Sequence, residues 1–355
     1  MQHIGKKEFL TALGKGLILA AFGLFIIFSS IWVCMAIWIQ QPLGWLFSRV
    51  LIGVWIVFAL SILGIYVTQH LISRRVDLAI YLVAFIAVLI WYFSIPALQN
   101  RDWNPEVAKI LSYERTGNLV TLHNIRNFDW KPDGSYTERW ETRHLNLDKI
   151  NGVNIVTSYW MGPQIAHTLV SFNFSDQAPL VFSIEIRKEK NENFSAVGGF
   201  FRQFELSLVA ADEKDIIYTR SNVRKEQVYL FPIKMTNKQA KALFNEYLKT
   251  VDELQKEARW YNTLTSNCTT LVFDMVQAIN PNELPKDYRL IVSGYLPNYL
   301  YDLNVLSHHY TVPEWYQMAY INARAAEYET FKYKSSANFS AAIREGLPQP
   351  NQQPH

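Results

Sequence analysis

The chain has 355 residues, of which only 18% are charged and 50% are hydrophobic. That charge fraction lies below the ~25% usual for soluble domains, so surplus apolar material must be concentrated somewhere, and a disordered chain is excluded. Two cysteines exclude a disulfide scaffold or a cysteine zinc module. The formal charge of +3 divides unevenly: the first hundred residues hold six Lys/Arg against two Asp/Glu, and the rest hold 28 against 29. The basic surplus belongs to the apolar N-terminal part, and nothing favours nucleic acid as a partner.

Residues 17–39, 50–72 and 78–98 are long apolar stretches. Each meets the ~20 residues needed to cross a hydrocarbon core, so residues 1–99 are expected to be a membrane anchor of three transmembrane helices. Lys6, Lys7, Lys15, Arg74 and Arg75 flank one side and Arg49 alone the other. The positive-inside bias therefore places the N-terminus and the 73–77 turn in the cytoplasm and everything after about residue 100 on the far side. A cleaved signal peptide is disfavoured because the first stretch is too long and two more follow. No stretch carries a central charge, which argues against a transporter or channel.

From residue 100 the pattern becomes mixed. Strand-like runs fall at 119–125, 153–159, 165–174, 180–187, 204–209, 216–219 and 228–233, rich in β-branched and aromatic residues between turn signals. Helices follow at 237–257, capped by Thr236, at about 268–279, and at about 313–330. Strands first and helices later predict an α+β domain over 100–348, ending in a flexible tail at 349–355.

Cys34 lies in the first apolar stretch, which leaves Cys268 as the exterior thiol. In WYNTLTSNCTTLVFDMVQAIN, Ser266 or Asn267 can cap a helix with Cys268 in its first turn, where partial positive charge favours a thiolate. A nucleophilic thiol needs a base, and His167 stands out on an alternating strand. A hairpin centred near Gln177 places Glu185 and Arg187 on the face of His167, with Glu185 diagonally beside it as an orienting group. The acidic run ADEKD at 211–215 reads as a solvated turn between strands. No HExxH, cysteine-rich spacing or glycine-rich phosphate loop is present, so the sequence supports neither a metal nor a nucleotide cofactor.

Five segments in order, WMGPQIAHTLVSFNF, SIEIRKE, ADEKDIIYTRSNVRKEQVYLF, WYNTLTSNCTT and FSAAIREGLP, resemble the periplasmic domain of the lipoprotein N-acyltransferase (Lnb) family across residues 100–348. That family resembles permuted papain-like thiol acyltransferases, in which the His strand precedes the Cys helix. The resemblance implies Cys268 as nucleophile, His167 as base and Glu185 as the orienting group, while Asn267, Tyr261, Asn262 and Arg187 fall in matching motifs as substrate or oxyanion contacts. It further implies a multi-pass protein of the bacterial inner membrane with a periplasmic C-terminal domain, a phospholipid acyl donor and a lipoprotein or lipid amine acceptor. Family members place their spans after this domain, whereas here three precede it. Hydrolysis of an ester, thioester or amide by the same pair, and a non-catalytic envelope binding role, are the alternatives.

Overall fold

The computed structural model describes residues 6–68, 71–280, 284–327 and 335–348. These fall into two compact units, one reaching to residue 97 together with 201–203 and the other comprising the remainder.

The first unit consists of α1 (Lys6–Gln40), α2 (Trp45–Thr68) and α3 (Arg74–Ser94). Three segments, Gly16–Gln40, Trp45–Thr68 and Arg74–Ser94, are long and apolar enough to cross a membrane. Phe22, Ile26, Trp55, Ile62, Tyr66 and Tyr81 pack between the helices. The Tyr81 hydroxyl meets Ser29 Oγ at 2.7 Å, which satisfies a polar group that lipid could not. The second and third helices begin four to five residues before the hydropathy-based limits. Arg49 does not end the apolar helix because its guanidinium lies over the Trp45 ring, 4.6 Å from the centroid. At the other end α3 stops at Ser94, since Ile95 precedes Pro96 and is extended (φ −68°, ψ 116°). Of the second hydropathy stretch, residues 69–70 lie outside the described residues, and Leu71 and Ile72 at its end are not helical.

The second unit is built on a twisted sheet of β1 (Ser112–Thr116), β2 (Leu119–Arg126), β5 (Trp140–Asn146), β6 (Ile150–Tyr159), β7 (Ala166–Phe174), β8 (Leu180–Arg187), β9 (Glu205–Asp212) and β10 (Gln227–Ile233). A small ribbon pairs β3 (Asp129–Trp130) with β4 (Tyr136–Thr137). Among the described residues the strand order is β1-β2-β9-β8-β7-β6-β10, with β5 also on β2. Every pairing in the sheet is antiparallel except the short β2–β9 contact at Arg126 and Ala211.

Helices cover both faces. On one, α6 (Asn237–Lys256) and α7 (Thr270–Ile279) pack with α8 (Leu296–Asp302) and α9 (Val312–Ala319), so that Phe244 and Tyr247 of α6 meet Phe172 and Phe182 of the sheet. On the other, α5 (Glu213–Tyr218), α10 (Asn322–Glu327) and α11 (Ser336–Ala342) bring Ile216, Ile217, Ala325 and Phe339 against Leu169, Val181 and Val209. This double cover explains why β9 is buried at all eight positions and shows no polar alternation. The α+β expectation holds, with the His167 strand β7 preceding the Cys268 helix α7. Thr236 caps α6 through a capping box with Gln239. The helix expected at 313–330 is two, α9 and α10, because Tyr320 leaves the helix to bridge Tyr229 of β10; residues 328–330 lie outside the described residues.

Two expectations fail at one place. Residues 216–219 are not a strand, and the 211–215 run is not a solvated turn. Asp212 instead caps α5 by accepting the Lys214 N–H at 2.9 Å, and the chain continues into a π-helical turn at Thr219–Val223, where the Arg224 N–H reaches back to Thr219 O at 2.8 Å. The carboxylates of Asp212, Glu213 and Asp215 are buried, each paired with an arginine from a distant segment: Arg143, Arg344 and Arg126. Local propensity favoured a strand for Ile216-Ile217-Tyr218-Thr219, and three long-range ion pairs override it. Asp215 alone accepts from Arg126 Nε (2.9 Å) and Nη2 (3.1 Å), Phe128 N–H (2.9 Å) and Trp130 Nε1 (2.8 Å). Removing it strands a buried guanidinium, so Asp215→Ala is expected to cost about 3–5 kcal/mol. Thermal unfolding of the detergent-solubilised chain, followed by tryptophan fluorescence, checks this; an unchanged transition would contradict it.

Candidate active site

Cys268 stands two residues before the first residue of α7 (Thr270), just outside the first turn expected from the sequence. The Asn267 side-chain oxygen accepts the N–H groups of Thr269 (2.8 Å) and Thr270 (2.9 Å), which caps the helix and sets the thiol at its positive end. The approach to this cap is fixed from upstream. Residues 259–261 run along the start of β9, with Leu206 N–H on Arg259 O (2.7 Å) and Tyr261 N–H on Phe204 O (3.0 Å). Asn262 then turns the chain by accepting the N–H groups of Leu264 (2.9 Å) and Thr265 (3.0 Å). At Gly199, in α4 (Ala196–Phe200), a Cβ would stand 2.3 Å from Thr263 Oγ1, so only glycine lets this segment close on the cysteine loop.

The hairpin register sits one residue earlier than the expected centre. Leu169 pairs with Ser183 and Phe172 with Leu180, which by continuation sets Glu185 opposite His167 rather than diagonal to it. Parity is unchanged, so both residues still share a face. The β7–β8 ladder stops at Leu169 and Ser183, although β6–β7 continues to Ala166 and β8–β9 to Arg187. The two strands therefore part beyond that point. Through the gap the thiol, carried by the start of a helix on one face, approaches the imidazole on the other, and the His167 ring and the Thr168 backbone both favour its ionised form.

His167 Nε2 lies 2.7 Å from Ser183 Oγ and 3.2 Å from Glu185 Oε1. Ser183 gives its own proton to Glu185 Oε1 at 2.6 Å, so it can only accept from the ring. Nε2 therefore carries a hydrogen, and Nδ1 is the nitrogen left for sulfur. Arg220, on the π-helical turn, donates to Glu185 Oε1 at 2.8 Å and lies 3.4 Å from Glu226 Oε2, which also accepts from Ser158. Burial and Arg220 push the His167 pKa down, but Glu185 and Cys268 outweigh them and raise it to about 9. Burial pushes the Cys268 thiol up; the His167 charge and hydrogen bond, with donors from Thr168 and Thr269, bring it below its ordinary value. Burial likewise opposes ionisation of Glu185, yet His167 and Arg220 hold its carboxyl well below the usual range. These neighbours favour the thiolate–imidazolium pair over the neutral thiol and imidazole.

Of the other sequence-derived residues, Tyr261 and Asn267 line the cavity beside Cys268. Burial, with the charges of Cys268 and Glu185, raises the Tyr261 phenol and keeps it protonated. Asn267 spends its side chain on structure, its amide nitrogen donating to Thr263 O at 2.7 Å. Asn262 shapes the loop without lining the cavity. Arg187 is not brought to the site: it donates to Val107 O (3.1 Å) and Ala108 O (2.9 Å) and stacks 4.4 Å over Trp103. Position 187 shares the face of Glu185 but lies one residue pair further along β8, where the segment at 99–108 covers it. Sequence reading missed Ser183, Arg220 and Glu226. Ser183 lies on the predicted face, two residues before Glu185; Arg220 follows the segment 216–219, whose expected strand gives no hint of the π-helical turn that carries it.

The cavity at this pair measures about 320 Å³ and is walled by Ile184, Ile186, Tyr261 and Arg220 among others. Residues 136–294 match the Lnb N-terminal periplasmic domain. The matched stretch holds His167, Ser183, Glu185, Arg220, Tyr261 and Cys268, while FSAAIREGLP and the three apolar helices fall outside it. No curated protein and no solved structure matches the chain. No group of three or more His, Cys, Asp or Glu fit to hold a metal occurs among the described residues.

Glu185 and Arg220 act on His167 with opposite signs, which makes their roles separable. In a Cys34→Ser chain the pH profile of Cys268 alkylation by iodoacetamide is expected to show an upper step near 9 from the imidazole. Glu185→Gln moves that step down and Arg220→Gln moves it up. Shifts in the same direction, or none, would contradict the assignment.

Proposed function

We propose that the protein is a membrane-anchored periplasmic cysteine acyltransferase that moves an acyl chain from a phospholipid, through a thioester on Cys268, to the amine of a lipoprotein or lipid. The observation that carries this is the buried Cys268–His167–Glu185 relay within a stretch matching the Lnb N-terminal periplasmic domain. The match supports a periplasmic, lipoprotein-related role; the three apolar helices support membrane attachment, with the N-terminus on the cytoplasmic side by its basic flanks.

In the first step the Cys268 thiolate attacks the ester carbonyl of the donor. The tetrahedral oxyanion meets the Tyr261 hydroxyl, kept neutral by its surroundings, a donor of the kind worth about 2.7–4 kcal/mol. Collapse breaks the acyl C–O bond; His167 gives its Nδ1 proton to the departing alkoxide, which leaves as lysophospholipid. In the second step the acceptor amine attacks the thioester and His167 takes its proton. The C–S bond then breaks, the amide departs, and thiolate and imidazolium are restored. Glu185, fixed by Ser183 and Arg220, keeps the ring oriented while it gives up its proton in the first step and regains one in the second. Water in place of the amine would give the hydrolase alternative.

The test is intact-protein mass spectrometry after incubation with phosphatidylethanolamine. A fatty-acyl adduct on Cys268, with release of one lysophospholipid, is expected for the unmodified chain. His167→Gln is expected to slow its formation by about 10²–10⁴-fold, the range of general acid–base catalysis. No adduct in the unmodified protein, or equal adducts in both, would contradict the mechanism.

A further inference from the structure

The mouth of the Cys268 cavity is edged by large apolar side chains that the fold leaves uncovered. Trp160, Met161 and Ile165 come from the β6–β7 connection, Phe194 from the segment before α4, and Ile291 from the segment before α8; all five line the cavity. They are between 39% and 60% exposed. Such residues scattered singly need no explanation, but three separate segments converging on one opening do. Two of the three segments, residues 160–165 and 193–200, contain no Asp, Glu, Lys or Arg; the third has Arg289 two residues before Ile291, and Lys188 and Arg224 also line the cavity. The rim is also held firmly. Ser293 Oγ accepts from Ala166 N–H (3.0 Å) and donates to Ala166 O (2.7 Å), Gly294 N–H bonds Gln164 O (2.9 Å), and a Cβ at Gly294 would stand 2.0 Å from Pro163 O. Trp160 and Phe194 meet edge to face at 5.9 Å. Of the exterior tryptophans Trp103, Trp130, Trp140, Trp160, Trp260 and Trp315, Trp160 is the exposed one.

We propose that this collar seats in the hydrocarbon boundary of a phospholipid bilayer, so that an acyl ester enters the cavity from lipid without crossing water. Two further observations select lipid as the occupant. The same chain carries three helices apolar enough to span a bilayer, so a lipid surface is its permanent neighbour. The cavity, about 320 Å³, is at the small end of ligand sites, so a two-chain lipid cannot enter whole and the remainder of its hydrocarbon needs apolar surface outside. The aromatic and aliphatic side chains of the collar provide that surface. This deepens the phospholipid-donor reading and rests on it.

The full chain carrying Cys34→Ser and Cys268→Ser is placed in nanodiscs of phosphatidylethanolamine and phosphatidylglycerol. An environment-sensitive NBD label is then attached singly at Met161→Cys, Phe194→Cys or Ile291→Cys, and at Glu114→Cys on the edge strand β1 as a control. Labels on the collar are expected to lose fluorescence to lipid bearing a doxyl group on its acyl chain and to resist aqueous iodide; the control does the reverse. Collar labels quenched by iodide like the control would overturn the proposal, and so would labels shielded from both quenchers, the sign of a protein partner. Three positions on separate segments guard against one variant that fails to fold. Because the label experiment needs no turnover, it separates the two readings. Collar labels in lipid with no acyl adduct on the unmodified chain would leave the surface standing and sink the reaction, and the converse would sink the surface alone.

Discussion

The arrangement of the exterior unit depends on one buried charge, the imidazolium of His167. A cation in a cavity this enclosed is unfavourable unless anions meet it on both sides, and Glu185 and the Cys268 sulfur do so. Neither anion is stable there alone. Glu185 relies on Arg220, and Arg220 in turn on Glu226, so charge alternates from Glu226 to the sulfur without a break. The result is a thiol whose reactivity is set by a chain of neighbours rather than by solvent.

That chain explains features of the fold that otherwise look arbitrary. A sheet covered on both faces has no natural place where groups from opposite sides can meet. Ending the β7–β8 ladder early supplies one, and the capped start of α7 delivers the thiol into the opening. The π-helical turn after α5 aims Arg220 into the same gap from the other face. Three arginine–carboxylate pairs fasten α5 to remote parts of the chain, so the turn that follows is held in position. Ion pairs away from the cavity thus serve the geometry within it.

Much of this was legible in the sequence, for identifiable reasons. The membrane helices announce themselves by length and apolarity, and α6 by its capping box and apolar face. His167 and Glu185 were placed on one face correctly although the hairpin centre was a residue off, because strand parity survives a slip of two in register. Cys268 was found through its helix start. The failures share a cause. The 211–219 region, Arg187 and Arg220 are governed by partners 35 to 131 residues away or by segments folding back over a strand, and local patterns carry no trace of those. A carboxylate cluster looks solvated until the arginines that bury it are known.

The account stands or falls on the ionisation of one thiol, which ultraviolet absorbance of the thiolate reads directly. Subtracting the Cys268→Ser titration from that of the unmodified full-length chain isolates Cys268. Thiolate absorbance that persists below the ordinary thiol range near 8.5, and that in His167→Gln appears only above that range, is the predicted result. An unmodified chain whose Cys268 ionises only above that range would contradict the central claim.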